Sequence, residues 1–417
     1  MPRMRRLGPL AEREFRLLFL ARTISFIGNA FANVALAFAV LDLTGSTADL
    51  GYVLAARTVP LAIFLLVGGI WADRLPRHRV MVISNVVSGM SQAAVAMLLL
   101  SGHAQVWELA VLAAVNGTSS AFFFPASTGI VPQTVPRPLL QQANALLRLG
   151  LNASWIVGAA IGGLVVAVTN PGVGIAMDAA TFFLAALFVG AMRLPASLRM
   201  EASNFVAELA EGWREFVSRR WLWVIVVQFG MINAVEQGSQ NVLGPAIAKA
   251  HLHGPAGWGL VLTAKAVGLI VGGLVTLRLR PRRILLAATL GYLLTVPFLF
   301  GLAAPLPLLG VAVLAVLAGV GSETFGVLWD RAMQQEIPHD RLSRVSSYDE
   351  FGSIVLIPVG LVAAGPIAQA VGTQAALLGA ALLSLTATLA VLLVRDVRTL
   401  PRRGDGDTRH AAGRDAD

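Results

Sequence analysis

The chain has 417 residues, of which 56% are hydrophobic and 13% are charged, and its mean hydropathy is +0.72. A water-soluble protein of this length needs a largely polar surface, so this composition excludes a soluble globular domain. The formal net charge is +9, but the arginines are concentrated in short connections between apolar runs, which is typical of membrane topology and not of a nucleic-acid-binding surface. The absence of cysteine excludes disulfides, thiolate metal sites and cysteine nucleophiles.

Apolar runs separated by polar, glycine or proline residues predict twelve membrane-spanning helices, numbered as spans one to twelve in chain order. A bilayer core about 30 Å thick needs roughly 20 apolar residues in each helix. The fold class expected is therefore an all-α membrane protein. The predicted spans are residues 15–41, 49–72, 79–101, 106–130, 142–168, 173–194, 221–246, 257–278, 283–303, 306–330, 345–370 and 374–395.

The arginines indicate how these spans are oriented. They lie in the N-terminal segment, in the connections after even-numbered spans and in the C-terminal tail, whereas the connections after odd-numbered spans contain none. Because positively charged connections stay on the cytoplasmic side, we expect a multi-pass plasma-membrane protein with both termini in the cytoplasm. The large excess of arginine over lysine indicates a bacterial source.

The same pattern divides the chain into two six-helix bundles, a linker between them and a polar tail. The linker is expected to contain an amphipathic cytoplasmic helix, and the tail is expected to be disordered. The four segments are, in order, residues 1–194, 195–220, 221–395 and 396–417. The apolar stripe of the linker helix consists of Phe205, Leu209, Trp213 and Phe216.

One motif occurs twice. The stretch Gly68–Val80 reads GGIWADRLPRHRV and the stretch Gly272–Ile284 reads GGLVTLRLRPRRI, but the acid at Asp73 is replaced by Leu277 in the second copy. Further pairs recur at a constant separation: Gly158 with Gly360, Gly163 with Gly365, and Pro136 with Pro338. The chain is therefore predicted to consist of two pseudo-symmetric halves around a membrane-normal axis, with a substrate bound between them.

The stretch Gly68–Val80 resembles the signature between spans two and three of the major facilitator superfamily. In that family the motif latches the two halves together while the cytoplasmic side is closed, so the resemblance implies a conformational latch here. An asymmetric contact across the pseudo-axis needs an acid in only one half. Two residues depart from the usual signature, Pro76 and His78. The matching residues are Gly69, Asp73, Arg74 and Arg77.

Three other stretches resemble more specific branches of this superfamily. GAAIGG at Gly158–Gly163 is similar to the span-five motif of drug/proton antiporters, with Ala159 where proline is usual. FFFPASTGIVPQTVPRPLLQQANAL and MQQEIPHDRLSRVSS resemble the exporter branch that contains siderophore and macrolide efflux proteins. The resemblance implies a secondary transporter that exports amphipathic small molecules, such as drugs, antibiotics or siderophores, in exchange for protons by alternating access.

Polar residues inside the spans mark the candidate cavity, because a charge at the bilayer centre costs at least about 2.5–3.5 kcal/mol. In the family, spans one, four, seven and ten line the cavity. Phe26 and Phe123 add aromatic walls, which suit bulky and mostly uncharged ligands. Span seven carries a polar stripe at helical spacing: Asn233, Glu236, Gln237, Gln240 and Asn241. Spans one and four contribute Asn29, Asn33 and Asn116.

Two acids on these spans, Glu236 and Glu323, are the proton-coupling candidates. A carboxyl group inside the membrane can take up a proton on one side and release it on the other. The alternative is that each acid forms an ion pair that fixes helix packing, with Lys265 of span eight and Arg148 of span five as available partners. Arg148 could instead contact an anionic substrate.

Other features have mainly structural interpretations. Arg57 and Asp178 are expected to form a bridge with each other, or Arg57 with Asp42. Repeated glycines in spans five and eleven predict close approach of helices or, alternatively, a seal against leak. These glycines are Gly158, Gly162, Gly163, Gly360 and Gly365.

Enzymatic chemistry finds no support in the sequence. A phosphate-binding loop needs glycine before lysine, but both lysines follow alanine, and no G-x-S-x-G or H-E-x-x-H occurs. His251 and His253 have no third ligand nearby, so no metal site is predicted.

The prediction is a monomeric transporter and not an enzyme. Its partners are the lipid bilayer and a small molecule, it binds no nucleic acid, and it needs no cofactor other than a proton gradient. Two alternatives remain: an importer of a small metabolite or sugar on the same scaffold, and a non-transporting membrane accessory protein.

Overall fold

A computed structural model of the chain describes residues 8–194, 205–304 and 306–401. Within its helices, the side chains of residues 65–74, 205–211, 339, 340 and 343 lie outside this description. The described part of the chain is almost entirely helical, as the apolar runs predict, and its one β-bridge joins Arg283 to Pro401.

The first half contains six long helices, one for each of the first six predicted spans. They are α1 (Arg13–Thr44), α2 (Thr47–Arg74), α3 (Arg77–Ser101), α4 (Val106–Gly129), α5 (Leu140–Val168) and α6 (Pro171–Gly190). A surface helix, α7 (Phe205–Ser218), precedes the second half. It begins inside the predicted linker, whose residues 195–204 fall outside the described residues.

The second half contains six crossings, of which three are built from two helices each. The crossings are α8 (Arg220–Gly238) with α9 (Gly244–His251), α10 (Gly254–Arg278), α11 (Ile284–Tyr292) with α12 (Val296–Ala303), α13 (Leu308–Glu336), α14 (His339–Ile354) with α15 (Ile357–Val371), and α16 (Thr373–Val391). A π-helical turn, Ser239–Leu243, joins α8 to α9. Each second helix of a pair has a proline in its first turn, where the missing N–H is tolerated.

Among the described residues, eleven helices or joined pairs are long and apolar enough to cross a membrane. The segment from α8 to α9 is the remaining predicted span. It carries the polar stripe from Asn233 to Asn241, which lowers its hydropathy. The same polar residues that mark this segment as a candidate site therefore lower its hydropathy, so that it does not count among the eleven.

The start of the predicted tail is ordered, in contrast to the expectation of disorder from residue 396. Arg395–Thr399 form a short helix, α17, and the carbonyl oxygen of Leu400 accepts a hydrogen bond from the N–H of Ile284. Val397 is fully buried in the hydrophobic cluster of the second half, and this burial holds the short helix in place. Residues 402–417 lie outside the described residues.

The repeated glycines make corresponding contacts in the two halves. Gly158 of α5 lies against α1, where an added Cβ would be 2.5 Å from Cβ of Ala30. Its counterpart Gly360 lies against α8, where an added Cβ would collide with the carbonyl group of Ala234. The interpretation of these glycines as points of close helix approach therefore agrees with the contacts that they make.

Among the described residues, the two halves approach one another closely near one end of the bundle. We call the end that carries the α2–α3, α4–α5 and α10–α11 connections the basic face, because Arg77, Arg79, Arg137, Arg280, Arg282 and Arg283 lie there, and the other end the opposite face. Near the opposite face, an added Cβ on Gly163 of α5 would lie 2.9 Å from Cα of Gly259 of α10. Gly365 of α15 makes the equivalent approach to Ala48 of α2.

Candidate functional site

The first half contains a buried polar cluster at mid-length of its helices. Arg57 of α2 donates hydrogen bonds from its two terminal nitrogens to the side-chain oxygens of Asn33 and Asn29 of α1, at 3.1 and 2.9 Å. The amide nitrogen of Asn29 in turn donates to the carbonyl oxygen of Ser25 at 2.9 Å. The spacing of the two asparagines by one helical turn thus gives Arg57 two neutral acceptors on one face.

The predicted bridges of Arg57 to Asp178 or Asp42 do not form. Asp178 of α6 is fully buried and accepts a 2.5 Å hydrogen bond from Gln92 of α3. Its charge and that of Arg57 attract one another through space. Asp42 lies at the opposite face, where it pairs with Lys249 of the other half at 2.5 Å. The expectation was wrong because neutral amides satisfy both buried charges at shorter range.

Aromatic and polar side chains surround a cavity of about 110 Å³ in this half. The predicted residues Phe26, Asn29, Asn33 and Phe123 all line it. The remaining lining residues are Ser25, Arg57, Ser84, Asn85, Ser88, Ser120, Phe124, Trp155 and Phe182. Among the predicted residues of the first half, Asn116 is buried and lies outside this lining, and the predicted residues of span seven belong to the other half. The neighbouring Gly117 packs against the backbone of Arg57, which holds that part of α4 tightly to α2.

Glu236 is the centre of a polar network in the second half. Its carboxylate accepts hydrogen bonds from the hydroxyl group of Tyr292 at 2.6 Å and from the amide of Gln240 at 3.3 Å. Lys265 of α10 donates to Gln240 at 2.6 Å, and its nitrogen lies 3.9 Å from the carboxylate. Of the two partners considered for Glu236, the structure therefore places Lys265 beside it.

The other residues of the polar stripe stabilise the same region. Asn233 donates to the carbonyl oxygen of Ser353 on α14 at 2.9 Å, and Asn241 donates to the side chain of Gln237. Asn29 and Asn33 in the first half occupy the positions that correspond to Asn233 and Gln237 in the repeat. Both halves thus present amides at matching depth.

Arg148 lies near Glu323, one of the two acids for which it was a candidate partner, and near Asp330, which was not considered. Its charge interacts electrostatically with Glu323 and Asp330 of α13, which belong to the other half. Arg148 is exposed on α5, between Gly163 and the basic face. Glu323 is half-buried, and its side chain lies against Gly273 of α10, within the second copy of the repeated motif. The two proton-coupling candidates therefore have different surroundings, one inside a half and one facing across the gap.

Aromatic rings connect the Glu236 network to the basic face. Phe229 stacks on Phe325 with ring centroids 4.2 Å apart, and Tyr292 meets Phe229 edge-on at 5.0 Å. Trp329 stacks on Phe325 at 5.9 Å and donates a 2.9 Å hydrogen bond to Asp349. The sequence reasoning missed Tyr292 as a partner of Glu236, although a tyrosine hydroxyl inside an apolar span needs a hydrogen-bond partner and is a usable signal.

The predicted latch is only partly described. Arg77 donates a hydrogen bond to the carbonyl oxygen of Gly129 at the end of α4, where a cation is favoured by the helix dipole. Gly69, Asp73 and Arg74 lie in the stretch whose side chains are outside the description. The latch therefore stays a prediction.

Comparisons with known proteins identify the family. A family described as transmembrane secretion effectors matches residues 4–407.

This chain belongs to the transmembrane secretion effector family.

Three named relatives are efflux proteins. The chain is 30% identical over 407 residues to the multidrug efflux pump Tap of Mycolicibacterium fortuitum, covering 93% of this chain and 96% of that one. It is 22% identical over 400 residues to macrolide efflux protein A of Streptococcus pyogenes, covering 93% and 97%. It is 27% identical over 339 residues to the enterobactin exporter EntS of Salmonella typhi, covering 80% of each chain.

Solved structures show the same architecture at low sequence identity. The nucleoside transporter NupG aligns with a TM-score of 0.73 at 12% identity, covering 91% of this chain and 98% of that one. A bacterial homolog to the human lysosomal transporter Spinster, in an inward-facing and unoccupied conformation, aligns with a TM-score of 0.69 at 15% identity, covering 94% and 98%. The predicted major facilitator fold of the exporter branch is therefore confirmed, and the chain is an export transporter and not an enzyme.

Proposed function

We propose that this secretion effector exports amphipathic small molecules in exchange for protons. It lies in a bacterial plasma membrane with its basic face on the cytoplasmic side. The names of the relatives include multidrug, macrolide and enterobactin exporters, and the proposed substrates are of those kinds: drugs, antibiotics or siderophores. The arginine-rich basic face supports the orientation, because positively charged connections remain in the cytoplasm. A monomer is sufficient, since both six-helix halves come from one chain.

The observation that carries the proton coupling is the environment of Glu236. The carboxylate is only 12% exposed, accepts two hydrogen bonds and lies 3.9 Å from the Lys265 ammonium group. Protonation would remove its negative charge, so Lys265 would keep its bond to Gln240 but lose the electrostatic attraction of the carboxylate. A change of one proton therefore alters the force between α8 and α10.

This force acts on α10, a helix of the second half that packs against the first half. Lys265 and Gly259 both lie on α10, and Gly259 is the contact point with Gly163 of α5 near the opposite face. Loss of the attraction at Lys265 would change how α10 packs on α8, and the contact of α10 with α5 would be biased with it. A proton-dependent shift between two arrangements of the halves is what alternating access requires.

The proton gradient can supply the energy for this cycle. Moving one elementary charge across 100 mV is worth about 2.3 kcal/mol, which corresponds to an accumulation of roughly fiftyfold. Glu323, which faces Arg148 across the gap between the halves, is the second candidate for binding a proton. The first-half cavity is lined by aromatic and amide side chains, and this lining supports the proposal that the substrates are amphipathic and carry few charges.

The decisive experiment is export by the Glu236→Gln variant. Glutamine keeps the size and one acceptor of the side chain but cannot take up a proton. In proteoliposomes with an imposed pH gradient, wild type is expected to accumulate a macrolide, a tetracycline or a fluorescent dye. The variant is expected to lose at least about 90% of this accumulation, because without a proton-binding carboxyl group it cannot use the roughly fiftyfold driving force of the gradient. A protonophore should abolish the wild-type accumulation.

Glu108→Gln is a matched control. Glu108 lies in the first turn of α4 at the opposite face, where its carboxylate accepts the backbone N–H of Gln105 at 2.9 Å, and glutamine can accept the same bond. This variant should transport like wild type. Export by Glu236→Gln at the wild-type rate would remove Glu236 from the mechanism, and export that persists with the protonophore would contradict proton coupling.

A further inference from the structure

Three exposed arginines lie at the basic face of the second half. Arg220 is the first residue of α8, and Arg395 and Arg398 lie on α17. Trp221 of α8 and Val397 of α17 belong to one hydrophobic cluster, which holds the start of α8 against α17. The three guanidinium groups are therefore presented by two neighbouring elements at one end of the second half.

None of these three arginines makes an ion pair or a side-chain hydrogen bond with any residue that the structure describes. Arginines nearby differ in this respect, because Arg219 and Arg341 both pair with Glu215. Asp396, which is exposed on α17, offsets one of the three positive charges. The group therefore keeps positive charge that the described part of the chain does not neutralise.

An apolar stripe continues from Arg220 along the outer side of α8. Trp223, Val227 and Met231 follow at helical spacing and are 38%, 55% and 39% exposed. The polar stripe that contains Glu236 lies on the other side of the same helix. From Arg220 to Met231 the helix rises by about 16 Å, at about 1.5 Å per residue, which is close to half of a hydrocarbon core about 30 Å thick. The stripe therefore has the length of one lipid leaflet.

The neighbouring helix α16 shows the same change from apolar to basic surface. It packs against α8, and Leu389 and Leu393 near its end are 44% and 80% exposed, just before Arg395. Side chains of a helix point towards its N-terminus, so Arg220 points away from the apolar stripe of α8 and towards the headgroup level. Both elements thus carry lipid-facing apolar side chains that end at an arginine.

We propose that Arg220, Arg395 and Arg398 bind the headgroup of an anionic phospholipid such as phosphatidylglycerol, and that one of its acyl chains lies along the apolar stripe of α8. Arginine suits this headgroup because its planar group donates two parallel hydrogen bonds to a phosphate. Basic surfaces beside membrane helices attract anionic lipids in the same way. The inference goes beyond the proposed export and takes from it only the orientation, which puts this lipid in the cytoplasmic leaflet. A headgroup in contact with both elements would hold the start of α8, the helix that carries Glu236, against α17.

Fluorescence quenching tests the site, because Trp223 lies on the stripe that the acyl chain would cover. The full chain is placed in nanodiscs of phosphatidylcholine that contain a small fraction of either phosphatidylglycerol or phosphatidylcholine with one brominated acyl chain. The part of the quenching that disappears in Trp223→Phe reports the lipid beside this residue. Wild type is expected to prefer the anionic lipid at least about tenfold, since each arginine near a headgroup contributes roughly a fivefold preference.

Variants separate this site from the overall charge of the protein. Arg220→Gln should lower the preference about fivefold, and Arg220→Gln combined with Arg395→Gln should bring the two lipids to nearly equal occupancy. Arg137→Gln is the matched control, because Arg137 is exposed at the basic face of the first half and its loss changes the net charge by the same amount. This variant should keep the wild-type preference.

Equal quenching by the two brominated lipids in wild type would overturn the site, and this comparison needs no variant to fold. An equal effect of Arg137→Gln and Arg220→Gln would assign the preference to overall charge and would also overturn it. Displacement of the lipid by millimolar glycerol phosphate would mean that the arginines bind a soluble phosphate instead, and no quenching of Trp223 by either lipid would mean that a second copy of the chain covers this face. None of these outcomes depends on export, so the lipid site and the proton coupling can fail separately.

Discussion

At the scale of single residues, Glu215 shows how one carboxylate fixes a surface helix. Its two oxygens accept hydrogen bonds from Arg219 and, at 2.8 Å, from Arg341 of α14. Nearby, Phe216 and Tyr348 bring their rings to within 5.9 Å. The linker helix α7 is therefore tied to the second half by charge and by aromatic packing at adjacent positions.

The hydrogen bond from Arg219 is the main reason why the pKa of Glu215 lies below its ordinary value, and Arg341 lowers it further. A carboxyl group whose pKa is lower in the folded state stabilises that state above its ordinary pKa. This contribution is lost as the pH falls from near 4.5, the ordinary value, through the lower folded-state value. The attachment of α7 should therefore weaken at acidic pH.

We expect Glu215→Gln to loosen α7 at neutral pH. Loss of these partly exposed ion pairs should cost about 1 kcal/mol, which is a roughly fivefold increase in local opening. Hydrogen exchange of the α7 amides, expressed as protection factors in purified protein, measures this opening. In wild type the protection should fall towards the variant's level below pH 4.5, whereas the variant should lack this step.

Glu350→Gln removes a charge from an exposed position of α14 and serves as the control, which should keep wild-type protection in α7. Equal protection of wild type and Glu215→Gln at neutral pH would show that the aromatic contacts alone hold the helix.

The sequence predicts which residues take part in the site where a side chain is unusual for its surroundings, as a charged group is in an apolar span. Glu236 and Lys265 stand out because charges inside apolar spans need partners, and the structure brings their side chains together. The partners of Arg57 could not be predicted in the same way. Several amides and acids lie within reach of its long side chain, and only the packed helices decide that Asn29 and Asn33 are nearer than Asp178.

At the scale of elements, the crossing of α5 and α10 determines how closely the two halves meet at the opposite face. An added Cβ on Gly163 would lie 2.6 Å from the carbonyl oxygen of Pro255, and one on Gly259 would lie 2.7 Å from that of Ala159. Both distances are well inside van der Waals contact, so larger side chains cannot be accommodated while the helices stay in place. The absence of side chains at this crossing is what permits the contact.

We expect Gly259→Val to separate α5 from α10 and to favour an arrangement that is open at the opposite face. The chain has no cysteine, so one cysteine introduced at Gln237, which is partly exposed on α8, reports access from one side. Labelling by a membrane-impermeant maleimide added outside cells should increase several-fold in the valine variant.

Gly326→Val is the matched control, because an added Cβ at Gly326 meets no atom within 4 Å. Labelling of this variant should equal that of the protein that carries the cysteine at position 237 and no other change. Unchanged labelling of Gly259→Val would mean that this crossing does not close the opposite face.

The elements themselves were largely predictable. Each predicted span corresponds to a helix or a joined pair, because a run of about 20 apolar residues has few alternatives in a membrane. The breaks within three crossings were missed. A proline inside an apolar run can kink a helix, begin a new one or be tolerated, and neighbouring helices decide which of these occurs.

At the scale of the whole molecule, the two halves differ in the charges that they present. Between α5 and α13 the first half contributes Arg148, whereas the second contributes Glu323 and Asp330. At the opposite face the order is reversed, with Asp42 of the first half paired to Lys249 of the second at 2.5 Å. Contacts of this kind can form in one arrangement of the halves and break in another, so they bias the population of each.

The duplication of the fold was predictable from repeated landmarks, because glycines and prolines at a constant separation constrain the backbone in both halves. The arrangement of the halves was not. Which end of the bundle is in contact depends on a small free-energy difference between two packings of the same helices, and no local sequence pattern determines it.

The central claim is that the halves rock about the polar region, so that one face opens as the other closes. The most direct measurement is of distances between spin labels in two pairs of introduced cysteines, Leu43→Cys with His251→Cys at the opposite face and Gln141→Cys with Gln334→Cys at the basic face, all at exposed positions. On imposition of a pH gradient, or on addition of an exported drug, we expect one pair to lengthen while the other shortens. If both distances stay fixed, or change in the same direction, alternating access by rocking of the two halves is contradicted.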